Sequence, residues 1–254
     1  MLGVTRAVHG FCTRLGSLVL ILVLGGASLG TAAVPLGMAQ PAAARVPILV
    51  YHTVDESGNT YSVTPRQLNQ QCRWLVEHGY TSITLRQFWQ AARGLVDLPP
   101  NPVILTNDDG DPSAWTFARI LARYGLVGNY FVNNVSPLTR RQIWSLAQWG
   151  SVEAHTVSHV ALSGLDYEDQ IAEIGQNKTY LEEITGQPVH FLAWPYGDVN
   201  ESAVEAAAAA GIDVAFALGG TAADLDTTDW YTIPRIAIFV DDDLETFAAK
   251  VTGG

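Results

Sequence analysis

The sequence predicts an α/β fold, a barrel or distorted barrel of about seven parallel strands with helices outside it. Strand-like and helix-like segments alternate from Val46 to the C-terminal end, the order that builds a parallel sheet from repeated βα units. Two of the strand segments, Val46–Tyr51 and Val103–Thr106, are apolar runs of the kind that form buried strands. His52, Asp108, Asp109, His155 and Pro195-Tyr196 each fall just after a predicted strand. Barrels of this class carry their chemistry at those C-terminal strand ends.

The elements follow in order. Val46–Tyr51 is a strand ending at His52, and Thr64-Pro65 opens a helix as cap and first-turn proline, running to His78 with Gly79 as its stop. Ser82 to Gly94 contains a second helix, and strand Val103–Thr106 delivers Asp108 and Asp109. Helix Ser113–Tyr124 leads to strand Gly128–Val132, then helix Thr139–Trp149, then a short strand Ser151–Ala154 that delivers His155. A long helix near Tyr167–Thr185 precedes strand His190–Ala193. The alanine-rich Glu201–Ala210 is helical, Asp213–Ala217 and Ile233–Val240 are strands, and Leu244–Val251 is a last helix.

Residues 1–39 read as a secretory signal and residues 40–254 as one catalytic-sized domain. Arg6 and Arg14 form a basic start, Leu18–Leu24 is a short apolar core, and small residues follow, with cleavage sites after Ala33 or Ala39. An uncleaved anchor is the other reading, but an anchor needs about twenty apolar residues, and the glycines and Pro35 dilute this one. Export also leaves Cys72 as the one cysteine of the mature chain, a buried helix thiol rather than half of an internal disulfide. Losing Arg6 and Arg14 and no acid takes the formal net charge from −11 to −13. Such a surface argues against nucleic acid and anionic membranes. It would tolerate a cationic polymer such as a partly deacetylated amino-sugar chain, although solubility alone accounts for it.

Two stretches carry the chemistry. Asp108-Asp109-Gly110 at a strand end can split labour between a base and a metal ligand, and His155 and His159 can converge on the same ion. One carboxylate and two imidazoles leave coordination positions open for water, as a metal-dependent hydrolase requires. Alone, the first motif is a common turn and the second a solvated face or satisfied pair. At matching strand ends of one barrel they become specific.

Four motifs occur together in order: Thr106-Asn107-Asp108-Asp109-Gly110, His155-Thr156-Val157-Ser158-His159, Trp194-Pro195-Tyr196-Gly197 and Asp226-Thr227-Thr228-Asp229-Trp230. With them the chain resembles the polysaccharide deacetylase family, the NodB-homology group also called carbohydrate esterase family four, over nearly all of the region after the signal. The resemblance implies a distorted (β/α) barrel that removes acetyl groups from sugars, mostly N-acetylglucosamine polymers. It implies Asp109, His155 and His159 as metal ligands and Asp108 as general base. It also implies that the backbone N–H of Tyr196 holds the oxyanion beside Pro195, that Trp230 walls the acetyl pocket, and that Asp226 lies nearby. Asp226 and Asp229 read equally well as turn or cap residues, and Trp230 as a core tryptophan.

The chain departs from the family at three points. No histidine follows His190, so the C-terminal Leu-x-His motif that often supplies the acid is missing. The opening Val46–His52 is similar to the subgroup that deacetylates poly-β-1,6-N-acetylglucosamine, in which the barrel strands are circularly permuted and the acid histidine comes from this strand. The resemblance therefore implies His52 as general acid, against the plainer reading of a packed strand-end histidine. Asn107 stands where the family usually has Phe, and Ala193 where many members have an arginine that pairs with the catalytic Asp. Arg235, in Ile233-Pro234-Arg235-Ile236, is the candidate to supply that charge from a neighbouring strand.

The expected activity is thus N-deacetylation of an amino-sugar polysaccharide by an exported enzyme that is secreted, periplasmic or cell-envelope-associated. Zn²⁺ is the expected ion for two imidazoles and a carboxylate, with Co²⁺ or Ni²⁺ accepted by the same donors. An O-acetyl esterase on a polysaccharide such as xylan and a catalytically silent glycan-binding module are the alternatives. A binder has no need of both base and acid. Of the remaining aromatic and histidine residues, Trp89, Trp115, Trp144, Trp149 and Trp194 are core or sugar-stacking candidates, and His78 and His190 are structural.

Overall fold

The computed structural model describes residues 45–253. The expected signal at 1–39 lies outside these residues, and no described helix is long and apolar enough to cross a membrane. The central sheet contains β1 (Ile48–Tyr51), β2 (Thr81–Ser82), β3 (Pro102–Asn107), β4 (Gly128–Val132), β5 (Gly150–Ala154), β6 (Phe191–Ala193), β7 (Val214–Phe216) and β8 (Ile236–Ala237). Its strand order is β7-β6-β5-β4-β3-β1-β8, with β2 pairing on the start of β3, and every pairing is parallel.

The sheet curls until its two edges are joined by one segment. Ile233 bridges to Phe216, and Ala217 N–H donates to Ile233 O at 2.9 Å. Three residues on, Ile236 and Ala237 pair with Leu49 and Val50. The stretch expected to be one strand over Ile233–Val240 thus serves one neighbour at its start and the other at its end. Pro234, with no N–H to give, sits at the change. This is the distorted barrel that the alternating pattern predicts.

Among the described residues there are seven α-helices: α1 (Pro65–Glu77), α2 (Leu85–Ala92), α3 (Ala114–Arg123), α4 (Arg140–Leu146), α5 (Tyr167–Thr185), α6 (Glu201–Ala209) and α7 (Leu244–Gly253). The period-two alternation of the strands feeds two separate cores. Leu49, Leu105, Tyr130, Val132 and Leu192 point outward onto helix residues such as Leu68, Cys72, Phe117 and Leu181. Ile48, Ile104, Phe131, Phe191 and Phe216 fill the interior together with Leu85 and Phe88 of α2.

Two more expected elements change. Pro47 divides the first strand, so Arg45–Val46 pairs antiparallel with Ala223–Asp224 before β1 begins. The helix expected over Thr139–Trp149 ends at Leu146, and the next residues form turns in which Gln148 and Trp149 donate three residues back.

Candidate active site

The C-terminal ends of β1, β3, β5, β6 and β7 open into one cleft, lined by His52, Asp108, Asp109, His155, His159, Trp194, Tyr196 and Arg235. Asp108 and Asp109 follow β3 directly. Asp108 N–H donates to Tyr51 O at 2.9 Å, continuing the ladder with β1. Asp109 then turns into the left-handed region at φ 72°, where a residue with a β-carbon is strained. The turn sends the two adjacent carboxylates to different partners.

Asp108 is buried and held by Arg235 through both oxygens, Nη1 to Oδ1 at 2.9 Å and Nη2 to Oδ2 at 2.8 Å. The guanidinium is itself buried, donates from Nε to Ala217 O at 3.3 Å, and lies 5.2 Å over the Phe131 ring. The fork-on-carboxylate geometry orients Asp108 and keeps a buried anion compensated. Ala193 contributes differently. Its carbonyl accepts from His155 Nδ1 at 2.8 Å, which directs Nε2 toward Asp109.

Asp109 Oδ1 lies 3.2 Å from His155 Nε2 and 3.0 Å from His159 Nε2. The three ligand atoms lie within 4.8 Å of one another, a spacing and donor set that fit a divalent cation. Burial raises the Asp109 carboxyl, and its hydrogen bonds to His155 and His159 reverse this, holding it well below the usual carboxylate range. An ionised carboxylate is what metal ligation needs. Thr156 at φ 65° and His159 at φ 56° are also left-handed, so the loop after β5 is strained where it presents its two imidazoles.

His52 enters from the end of β1. Its Nδ1 is buried with no hydrogen-bond partner among the described residues. Burial lowers its pKa, and the neighbouring Asp108 and Asp109 act in the opposite sense. Asn107, fully buried, donates from Nδ2 to the His52 carbonyl, so the amide found where a Phe was expected anchors this residue. Pro195–Gly197 form a short 3₁₀ turn after β6, with Tyr196 at φ 61° and its ring 4.8 Å from that of His159.

Trp230 and Asp226 do not reach the cleft. They belong to the stretch after Ala223–Asp224, which pairs with Arg45–Val46 ahead of β1, at the opposite end of the barrel. Trp230 is half-buried and packs edge-on to Phe88 of α2, ring centroids 6.4 Å apart. Asp226 is exposed, and its N–H closes a turn on Asp224 Oδ1. Asp229 accepts from Tyr231 N–H at 3.1 Å. The turn and core readings of this motif therefore describe its place.

Four residues beyond the sequence expectations complete the surroundings. Tyr61 and Leu218 line the cleft. Asn177 of α5 accepts from His155 N–H and donates to Val132 O and Asn134 Oδ1. Glu173 accepts from Ser158 N–H and Oγ. A polar Asn177 among the buried α5 positions Ile174 and Leu181 was a readable signal, and so was Leu218, just past a strand end. Nothing marks Tyr61 in its polar loop.

Comparisons with known proteins converge on one family. A family model described as polysaccharide deacetylase matches residues 96–215. YxkH of Bacillus subtilis is 29% identical over 205 residues, spanning 77% of this chain and 72% of that protein. The poly-β-1,6-N-acetyl-D-glucosamine N-deacetylase of Staphylococcus epidermidis is 28% identical over 203 residues, 71% of this chain and 69% of its own. The solved structure of the Streptococcus pyogenes deacetylase PplD in complex with acetate superposes with a TM-score of 0.75 at 22% identity, covering 82% of this chain and 98% of that one.

Proposed function

The chain belongs to the polysaccharide deacetylase family, and from that premise we propose that it is an exported, metal-dependent N-deacetylase of N-acetylglucosamine polymers. Poly-β-1,6-N-acetylglucosamine is the preferred substrate. One observation carries this reading: a metal-fitting trio, Asp109, His155 and His159, shares a cleft with the Arg235-paired Asp108 and with His52. A binding module would need neither a compensated base nor a facing histidine. Support for the substrate comes from the N-terminal position of His52 and from the S. epidermidis relative, which is named for that polymer.

Asp109, His155 and His159 would hold the ion. When bound, a divalent cation there supplies Lewis acidity toward the amide carbonyl and lowers the pKa of water, zinc being the best match to the donors and cobalt or nickel the alternatives. Asp108 takes the proton of the attacking water at a carboxylate oxygen that Arg235 has oriented. The backbone N–H of Tyr196, in the 3₁₀ turn after β6, stabilises the oxyanion beside Pro195. His52 gives a proton to the departing amine. Its Nδ1 is buried, so Nε2 is the nitrogen available to the cleft. The products are acetate and a free amino sugar. Export rests on the basic, apolar and small-residue order of residues 1–39, which places the enzyme where such polymers lie, secreted or at the cell envelope.

The test is acetate release from β-1,6-linked N-acetylglucosamine oligomers by the purified protein, with zinc or with chelator, beside Asp108→Asn. Release that needs metal and disappears in the variant is expected. No release by zinc-loaded protein would remove this polymer and turn attention to chitin, peptidoglycan and acetylated xylan. A His52→Ala variant that lost amide turnover while keeping ester turnover would agree with N-deacetylation, because an amine needs the proton more than an alkoxide does. Equal loss on both would show that His52 does not act as the acid for the leaving amine.

A further inference from the structure

We infer that Tyr61 sets the enzyme's preference for polymer over single sugars, by stacking on the sugar unit next to the one that loses its acetyl group. This rests on the deacetylase reading of the cleft. The Tyr61 ring lies 5.2 Å from the His52 ring and 5.7 Å from that of Phe239, centroid to centroid. It is nevertheless 48% exposed, so one side is packed and another faces the cleft that it lines. An aromatic face left open beside a polar reaction centre matches the apolar C–H face of a pyranose ring, and the phenol can meet the sugar hydroxyls.

The loop is built to hold that ring in place. Ser62 N–H and Oγ both donate to Asn59 O, at 2.9 and 2.8 Å, and Val240 N–H donates to Thr60 O at 3.0 Å. Tyr196 stands on the other side of the reaction centre, 68% exposed and packed on His159. A chain crossing the cleft thus meets a tyrosine on the His52 side and another on the His159 side, with the acetamide between them. A single sugar seated at the ion ligands has no neighbouring unit to place on Tyr61.

The experiment compares wild-type enzyme, Tyr61→Ala and Tyr61→Trp, all zinc-loaded, on N-acetylglucosamine oligomers from one to five units. Wild-type kcat/KM is expected to rise with length. Tyr61→Ala is expected to flatten the rise, losing about tenfold on the pentamer through KM and much less on the monomer, and Tyr61→Trp to restore it. Equal loss at every length would make Tyr61 a prop for His52 and overturn the inference, as would no loss at all. Failure of the wild type to release acetate would instead sink the parent reading. Calorimetric binding of the pentamer then decides Tyr61: affinity lost in Tyr61→Ala supports it, and unchanged affinity refutes it.

Discussion

Asp108 and Arg235 show how one side chain can decide whether its neighbour is usable. Both are buried, with 4% and 1% of their side chains exposed, so neither charge has water to fall back on. Removing one partner of such a pair typically costs about 3–5 kcal/mol, because the other charge is left uncompensated. Arg235→Ala should therefore lower stability by several kcal/mol and abolish most acetate release. In an Asp108→Asn background the same substitution should cost much less, since no carboxylate is stranded. Urea denaturation of the four proteins in that cycle measures the coupling; additive losses would show that Arg235 acts by packing on Phe131 alone. Asn107 works at the same scale. Asn107→Ala leaves the His52 carbonyl without its buried donor, a loss of about 1–3 kcal/mol. It should reduce amide turnover more than ester turnover, checked by paired assays on the two substrates.

At the scale of elements, the barrel is assembled by junctions that repeat. Thr64, Thr84 and Thr139 each cap a helix with Gln three residues on, both halves of the capping box being formed. Thr139→Ala should lower stability by about 1 kcal/mol, read as a shifted urea midpoint with activity retained. Helix α5 has a heavier duty, because Asn177 joins the β4 and β5 ends beneath His155. Asn177→Ala should weaken zinc binding by about 10–100-fold, measured by chelator competition; unchanged affinity would show that Ala193 O alone fixes the imidazole. Much of this level was legible. Apolar runs stop where strands end, so His52, Asp108, Asp109 and His155 could be assigned to one rim from the sequence. Arg235 could be named as a candidate partner for Asp108, but no spacing rule predicts the pair. The two lie 127 residues apart and meet only because Ile233–Ala237 joins the two sheet edges. Trp230 fails for the same reason, its motif being readable while the barrel end it occupies depends on the antiparallel pairing of Arg45–Val46 with Ala223–Asp224 that Pro47 makes possible. Loop residues such as Tyr61 obey no period.

For the molecule as a whole, one weak seam of the barrel is the contact between β5 and β6. Only Ala154 and Leu192 register across it, against five residue pairs between β4 and β5. Below that point the strands separate, and Glu153 fills the gap. Its Oε2 accepts the N–H groups of His190 and Phe191 at 3.1 and 3.2 Å, replacing carbonyls that β5 would have offered in a full ladder. The group is buried, and desolvation pushes its pKa from 4.5 up to about 8 despite those two bonds. A carboxyl with a raised folded pKa contributes its stabilisation fully below the unfolded value and loses it as pH rises through the folded one. Stability from Glu153 should therefore fall between about pH 4.5 and pH 8, by up to about 1.4 kcal/mol per pH unit. Glu153→Gln keeps an oxygen for the same two N–H groups and cannot ionise. Urea midpoints of both proteins, taken in chelator at pH 5, 6.5 and 8, separate this effect from pH-dependent metal binding. The wild type should lose stability relative to the variant as pH rises. Parallel curves would mean that the seam tolerates an ionised Glu153, and the barrel would then owe its continuity on this side to the packing of Phe191 and Phe216.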